Sequence, residues 1–265
     1  MRTNLSIYAQ QRMLSGRGEP FFIAGWHDVV FLHFAVPPHS LQPWVPFELD
    51  VFNGMAYVSL VAFTMRGLRP RLGGAALFKP IATHEFLNVR TYVKHQGECG
   101  IYFLAEWLPN FLAVMLGPTV FGLPYRWGRQ RYEHDPRHGF RGHVEDRWSG
   151  AVLSYSAADV KDVEPTTAAP GSLTEFLVER YTAFTRYAGW SRFFRAWHPP
   201  WPVVPINAHV HDLSLLNRTG DWCRDAKFVG AHYSPGFPEV WMGRPRLASS
   251  THTQLQPHHA PAFHT

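Results

Sequence analysis

The chain is short of charge. Only 17% of its 265 residues are charged, against 46% hydrophobic and 15% aromatic, where a globular sequence usually carries about a quarter; so apolar a chain is not a disordered polymer. Lysine is the scarcest cation: Lys79, Lys94, Lys161 and Lys227 stand beside 21 arginines. That ratio marks a compositional bias. The net charge of +5 builds no phosphate-tracking stripe, because the densest cluster, Arg126, Arg129 and Arg131, is followed at once by Glu133 and Asp135. Nucleic acid is therefore not an expected partner. Two cysteines, Cys99 and Cys223, sit far apart and form no Cys-x-x-Cys pair, so neither a disulfide framework nor a thiolate zinc site is indicated. No apolar run approaches the roughly 20 residues of a membrane helix, the best being Tyr57 to Met65, interrupted by Ser59 and Thr64. Met1 to Pro20 has no apolar signal segment, so the expected location is cytoplasmic. Walker loop, dinucleotide glycine fingerprint, G-x-S-x-G elbow and H-E-x-x-H are all missing, and no cofactor is expected.

What is present reads as strand and turn. The length suits one large domain, expected over residues 20–247, with an N-terminal extension at 1–19 and a disordered His- and Pro-rich tail at 248–265. Phe21 to Val36 is aromatic and β-branched and closes at Pro37-Pro38; a short helix follows at His39 to Trp44. Asn53-Gly54 between two apolar segments predicts a β-hairpin, since both residues tolerate positive φ. Residues 66–80, rich in Arg, Gly and Pro, predict a long loop able to cover a site. A second strand pair is expected at Phe86 to Val93 and Ile101 to Trp107, around Gln96-Gly97. Asn110 to Leu116 has a helical pattern that Pro118 should end. Strands are expected near Phe140 to Arg147, Ala151 to Ser156, Trp190 to Trp197, Ile206 to Leu216, Lys227 to Tyr233 and Val240 to Met242. One packing helix is expected after Ser172, whose capping-box partner is Glu175, with Leu173, Phe176, Leu177 and Tyr181 on one face. The fold class is α+β, mostly antiparallel β, with a curved or closed sheet enclosing a pocket.

Three candidate polar groups share a strand. Asn88, Arg90 and Tyr92 fall at period two with Phe86, so all face one way. If that way is inward, Arg90 is a fork donor for a carboxylate; the alternative is a structural pairing with an acid such as Glu85 or Glu106. His209-x-His211 has the same-face spacing of two metal ligands on a strand, a set that His198 and His232 could complete; no Glu or Asp stands at a spacing that clearly supplies a third ligand, and no metal is assigned.

Several segments together carry a resemblance: Trp26-His27-Asp28, Val45-Pro46-Phe47-Glu48-Leu49-Asp50, Leu87-Asn88-Val89-Arg90-Thr91-Tyr92-Val93, Phe121-Gly122-Leu123-Pro124-Tyr125, Pro170-Gly171-Ser172-Leu173, His198-Pro199-Pro200-Trp201-Pro202 and His232-Tyr233-Ser234-Pro235-Gly236. In this order they resemble the uncharacterised YqjF-like family of the acetoacetate decarboxylase-like superfamily, over about residues 20–246. The resemblance implies a cone-shaped β-barrel with flanking helices around an apolar cavity. In the decarboxylases a Schiff-base lysine follows a Gly-aromatic-Pro motif; here Tyr125 occupies that place and Arg126 that of a second lysine. The catalytic glutamate corresponds to Asn88, and an arginine near the start of the first strand to His27. A phenol cannot form an iminium with a ketone, so the resemblance brings the pocket without the covalent chemistry.

The expected function is thus a small-molecule pocket for a small organic acid or its enol tautomer. Tyr125, Arg90 and His27 are the candidate catalytic groups of a non-covalent acid/base lyase or isomerase-type enzyme, and Asn88, Arg90, Tyr92 and Arg126 bind substrate. The alternatives are a non-catalytic ligand-binding or sensing protein, and a metal-dependent enzyme through His209 and His211. An oligomer is compatible with all three.

Overall fold

The computed structural model describes residues 5–248. In chain order its elements are α1 (Leu5–Leu14), β1 (Phe22–Val36), α2 (Pro38–Leu41), β2 (Glu48–Leu49), β3 (Ala56–Pro70), α3 (Ala75–Phe78), β4 (His84–His95), β5 (Glu98–Leu108), α4 (Phe111–Phe121), β6 (Tyr125–Asp135), β7 (Gly139–Asp146), β8 (Val152–Ala157), β9 (Thr166–Thr167), α5 (Leu173–Val178), β10 (Thr182–Tyr187), β11 (Trp190–Trp197), β12 (Pro202–Ile206), β13 (Ala208–Asp212), β14 (Lys227–Met242) and β15 (Arg246–Leu247). Strands β1, β3, β4, β5, β10, β11 and β14 hydrogen-bond in a closed ring, mostly antiparallel, with β5–β10 parallel. From β5 the sheet continues through β6, β7, β8 and β13, and this arm folds back over the outside of the ring. Tyr132 donates to the Phe86 carbonyl at 2.9 Å, and His134 Nδ1 lies 2.6 Å from the Asp28 carbonyl.

Alternation along the strands builds two apolar layers. On β1, Val30, Leu32, Phe34 and Val36 point outward, joining Val58, Leu60, Leu87, Val89 and Trp107 beneath Phe140, Val144, Leu153 and Tyr155 of the arm. Phe31 and Ala35 point inward, with Val61, Phe63, Phe86, Tyr92, Phe103, Trp201 and Phe237. This is the period-two signature of a strand buried on both faces. Trp107, fully buried, donates its indole N–H to Asp146 at 2.8 Å and ties β5 to the end of β7.

Several local expectations meet the structure differently. Gln96-Gly97, both at positive φ, joins β4 to β5 as expected. Asn53-Gly54 also turns at positive φ, but only one bridge, Phe52 with Met55, flanks it, because β2 pairs with the far end of β4 instead. Residues 66–70 continue β3, held by pairing to β1, so the loop expected at 66–80 is reduced to 71–80, which contains α3. α4 runs past Pro118 to Phe121: Asn110 caps its start by accepting from the Ala113 N–H at 3.1 Å, and Gly122 ends it in the left-handed region, so the two ends outweigh the one lost donor. α5 has the expected Ser172 cap but stops at Val178, leaving Tyr181 outside it. α1, in the N-terminal extension, buries Ala9 and Met13, and Ser6 donates to the His198 carbonyl at 2.7 Å. The tail expected from residue 248 lies beyond the described residues apart from Ala248.

Candidate functional site

Register alone assembles the candidate site. Across the ring, Phe31 pairs with Val61, Val61 with Asn88, Asn88 with Glu106, and Glu106 with Tyr125. Directly paired residues present their side chains on the same face, and Phe31 is inward, so Asn88, Glu106 and Tyr125 stand side by side on the inner wall. The neighbouring row is His33, Ser59, Arg90 and Phe103. Between β4 and β5 a register shift after Val89 lets Arg90 face Phe103 while Asn88 faces Glu106.

This polar wall is buried and incompletely paired. Asn88, Arg90 and Glu106 are 7%, 6% and 3% exposed. Asn88 Oδ1, Arg90 Nε and Glu106 Oε2 have no hydrogen-bond partner. Arg90 donates a long hydrogen bond to the Leu177 carbonyl, 3.3 Å, is supported by the neighbouring Tyr92 hydroxyl, and lies 5.7 Å from the Phe31 ring centroid; no carboxylate stands within 4.0 Å of it among the described residues. Burial pushes the Glu106 carboxyl well above its usual range, opposed only in part by the Arg90 charge. Burial also raises the Tyr125 phenol, and the Glu106 carboxyl adds to it. Burial thus favours the protonated form of both groups, the form that can donate a hydrogen bond.

Tyr92 stands next to Arg90, shares its Leu177 acceptor and is itself fully engaged. Its hydroxyl donates to the Leu177 carbonyl at 2.8 Å and meets Ser59 Oγ at 2.5 Å. Ser59 is 2.7 Å from His33 Nδ1, and His33 Nε2 is 3.1 Å from His232 Nδ1. Tyr92 thus braces the wall beside Arg90.

Beyond Tyr125 the inner face opens into a cavity of about 250 Å³ under α4, whose polar walls are only Tyr125 and His84. Both ring nitrogens of His84 are buried without a partner, and burial lowers its pKa to about 4. A wider groove of about 630 Å³ between α1, α5 and the β4–β5 turn carries several charges, of which Arg12 meets Glu98 at 2.8 Å and Arg180 meets Asp50 at 2.7 Å, while the Nε of Arg195 is buried without a partner.

The structure brings together Asn88, Arg90, Tyr92 and Tyr125 and leaves two other candidates elsewhere. His27 follows Trp26, whose ring turns inward to 5.3 Å from Phe63, so His27 faces away and sits among Arg66 and Asp28. Arg126 follows Tyr125 and points outward for the same reason, its guanidinium 5.2 Å from the Trp107 ring in a groove shared with Arg218. Glu106, weighed in the sequence only as a structural partner for Arg90, is the residue that joins Asn88 to Tyr125. Among the described residues no three His, Cys, Asp or Glu side chains gather as a metal set; His209 and His211 are exposed, while His198 and His232 are engaged elsewhere, His198 Nε2 accepting from Trp201 at 3.1 Å. None of the four lysines reaches the interior: Lys79, Lys161 and Lys227 are exposed and Lys94 pairs with Asp50 at 2.9 Å.

Known proteins share both the sequence and the fold. YqjF of Bacillus subtilis, itself uncharacterized, is 34% identical over 201 residues, covering 74% of this chain and 80% of its own length. Solved structures with the same fold include acetoacetate decarboxylase from Legionella pneumophila (TM-score 0.62, 10% identity, 86% of this chain and 87% of that one). Another is the enduracididine biosynthesis enzyme MppR complexed with pyruvate (0.60, 15%, 86% and 90%). A third is an acetoacetate decarboxylase-like enzyme from Sphingomonas wittichii (0.60, 15%, 88% and 95%). Residues 24–238 match the DUF2071 family, described as an uncharacterized conserved protein, and with that match and the YqjF relative the chain belongs to this family and has the acetoacetate decarboxylase-like fold.

Proposed function

We propose that the ring interior binds a small organic acid and stabilises its enol or enolate form without a covalent intermediate. The observation that carries this reading is the set of three buried, unpartnered polar atoms, Asn88 Oδ1, Arg90 Nε and Glu106 Oε2, on one inner face. Leaving such groups unsatisfied costs free energy, and a ligand that pairs with all three on one face would account for their retention. Arg90 offers a fork to the carboxylate. Glu106, kept neutral by burial, and Tyr125 beside it supply two donors to the oxygen that gains charge as a carbonyl becomes an enolate. A phenol and a neutral carboxylic acid in an apolar setting suit that task, because they need no reorganisation as the charge develops. Asn88 orients the ligand between them. One neighbour of the same fold is complexed with pyruvate, which agrees with an acid of this kind.

The exclusion of lysine from the interior favours a second reading, ligand binding without turnover. One experiment tests both: thermal stabilisation of the protein across a panel of 2- and 3-oxo acids, with turnover of the same compounds followed by NMR. Stabilisation with proton exchange at the carbon beside the carbonyl supports the enzyme; stabilisation alone supports the sensor; no stabilisation by any acid removes the site.

A further inference from the structure

The inner face of β4 passes without interruption from the polar wall into the apolar cavity. Counting down the strand, Arg90 and Asn88 belong to the wall and Phe86 and His84 to the cavity. At a rise of about 3.3 Å per residue, the six-residue step from Arg90 to His84 covers roughly 20 Å, and that from Asn88 to His84 about 13 Å. The cavity contains no Asp, Glu, Lys or Arg among its lining residues; its walls are aromatic and aliphatic, from Phe86 and Phe194 on the ring and Leu123 after α4 to Phe78 and Ile81 on the 71–81 segment. Leu116 and Val120 of α4 line it and are also 47% and 46% exposed, so its outer wall is one apolar side chain thick. Tyr125 stands where wall and cavity meet: its ring lies against Gly117, where a Cβ would come within 2.1 Å of it, and its backbone pairs with Glu106.

We infer that the cavity under α4 holds the alkyl chain of the ligand, so that the acid bound by this protein carries a medium-length, unbranched apolar tail. The inference rests on the proposed acid site and extends it from head group to substrate class. An acid as small as pyruvate would leave about 250 Å³ of apolar space unfilled. A chain laid along β4 past Tyr125 would fill it and displace nothing charged. The two bare nitrogens of His84 lie at the far end, where they meet a terminal hydroxyl or keto group if the tail bears one.

Binding of butyrate, hexanoate, octanoate and decanoate, measured by calorimetry on the full chain, tests this. Burying a methylene is worth about 0.8 kcal/mol, so affinity should rise roughly two-hundredfold from butyrate to octanoate. Leu116→Trp, which fills the cavity from its exposed side, should cut the octanoate-to-butyrate ratio below tenfold; if that variant does not fold, Val120→Phe, one turn on, reads the same ratio. Equal affinity across the series in the wild type overturns the tail assignment and leaves the acid site standing. Octanol bound as tightly as octanoate upholds the tail cavity and overturns the Arg90 anchor instead. An undiminished ratio in both filled variants places the chain elsewhere and overturns the inference.

Discussion

Replacing Arg90 by methionine should make the ligand-free protein more stable. The guanidinium is buried with no carboxylate within ion-pair distance, and burial pulls its pKa down against the partial support of Tyr92 and Glu106; a buried ion without a paired counter-charge costs several kcal/mol. Against that, the substitution forfeits a hydrogen bond to the Leu177 carbonyl that at 3.3 Å is long, worth at most about 1.5 kcal/mol. It also forfeits the cation–π contact with Phe31, centroid at 5.7 Å, worth roughly 0.5–2 kcal/mol. No acceptor is orphaned, because the Leu177 carbonyl keeps the Tyr92 hydroxyl at 2.8 Å. Methionine is unbranched and fills the vacated channel between Phe31 and Phe103 without strain. The balance is a gain of about 1–3 kcal/mol, and since each kcal/mol moves the midpoint of a domain of this size by about 2–4 °C, thermal unfolding should rise by roughly 3–10 °C. Urea titration with an unchanged m-value confirms that the gain belongs to the native state. Destabilisation of about 3–5 kcal/mol, the loss expected on breaking a satisfied buried pair, would refute the reasoning and return Arg90 to a structural role.

Glu106→Gln should alter the pH dependence of stability in one direction. The native carboxyl holds its proton well above 4.5 while the unfolded chain releases it near 4.5; in between, the native state binds more protons, so wild-type stability from this group is complete below about pH 4.5 and lost as pH rises through the folded value. The urea midpoint of Glu106→Gln minus that of wild type should therefore grow from pH 4.5 upward, and a difference that stays flat contradicts a buried neutral Glu106. Gly117→Ala places a Cβ 2.1 Å from the Tyr125 ring. The roughly 1 kcal/mol of added helix propensity is outweighed by about 1–3 kcal/mol of overpacking, so a net loss in chemical denaturation is expected and a net gain would show that the ring moves freely. Borohydride in the presence of acetoacetate or pyruvate should leave no adduct by mass spectrometry, since all four lysines lie outside the interior. An adduct on Lys79 or Lys94 would restore Schiff-base chemistry.

How much of this was legible in the sequence depends on whether the signal was local. The β4–β5 hairpin was readable because Gln96-Gly97 and the alternation of Phe86, Asn88, Arg90 and Tyr92 both lie within one segment. Asn53-Gly54 gave its turn but not its strands, since the choice of β4 as partner for β2 is a tertiary one. β6 was invisible: Tyr-Arg-Trp-Gly-Arg-Gln-Arg-Tyr-Glu-His-Asp alternates charges toward solvent, and its parallel pairing to β5 across α4 leaves no turn signature. Missing that strand also hid the parity that sends Arg126 outward when Tyr125 faces in. Glu106 could not be assigned to the wall, because its place opposite Asn88 depends on a register shift after Val89 that no residue announces. The resemblance supplied the ring and the position of Tyr125; the inward turn of Trp26, which carries His27 to the outside, follows from the left-handed backbone at Asp28.

The most direct test of the central claim, that the unpaired polar wall is a ligand site, is calorimetric titration of wild type and Arg90→Met with one tail-bearing 3-oxo acid under identical conditions. The wild type should bind one equivalent saturably, and the variant, although more stable when free, should bind at least tenfold more weakly, as loss of a charge-assisted fork requires. Equal affinity in the two proteins, with the acid bound, would show that Arg90 holds no carboxylate and that the wall is not the site.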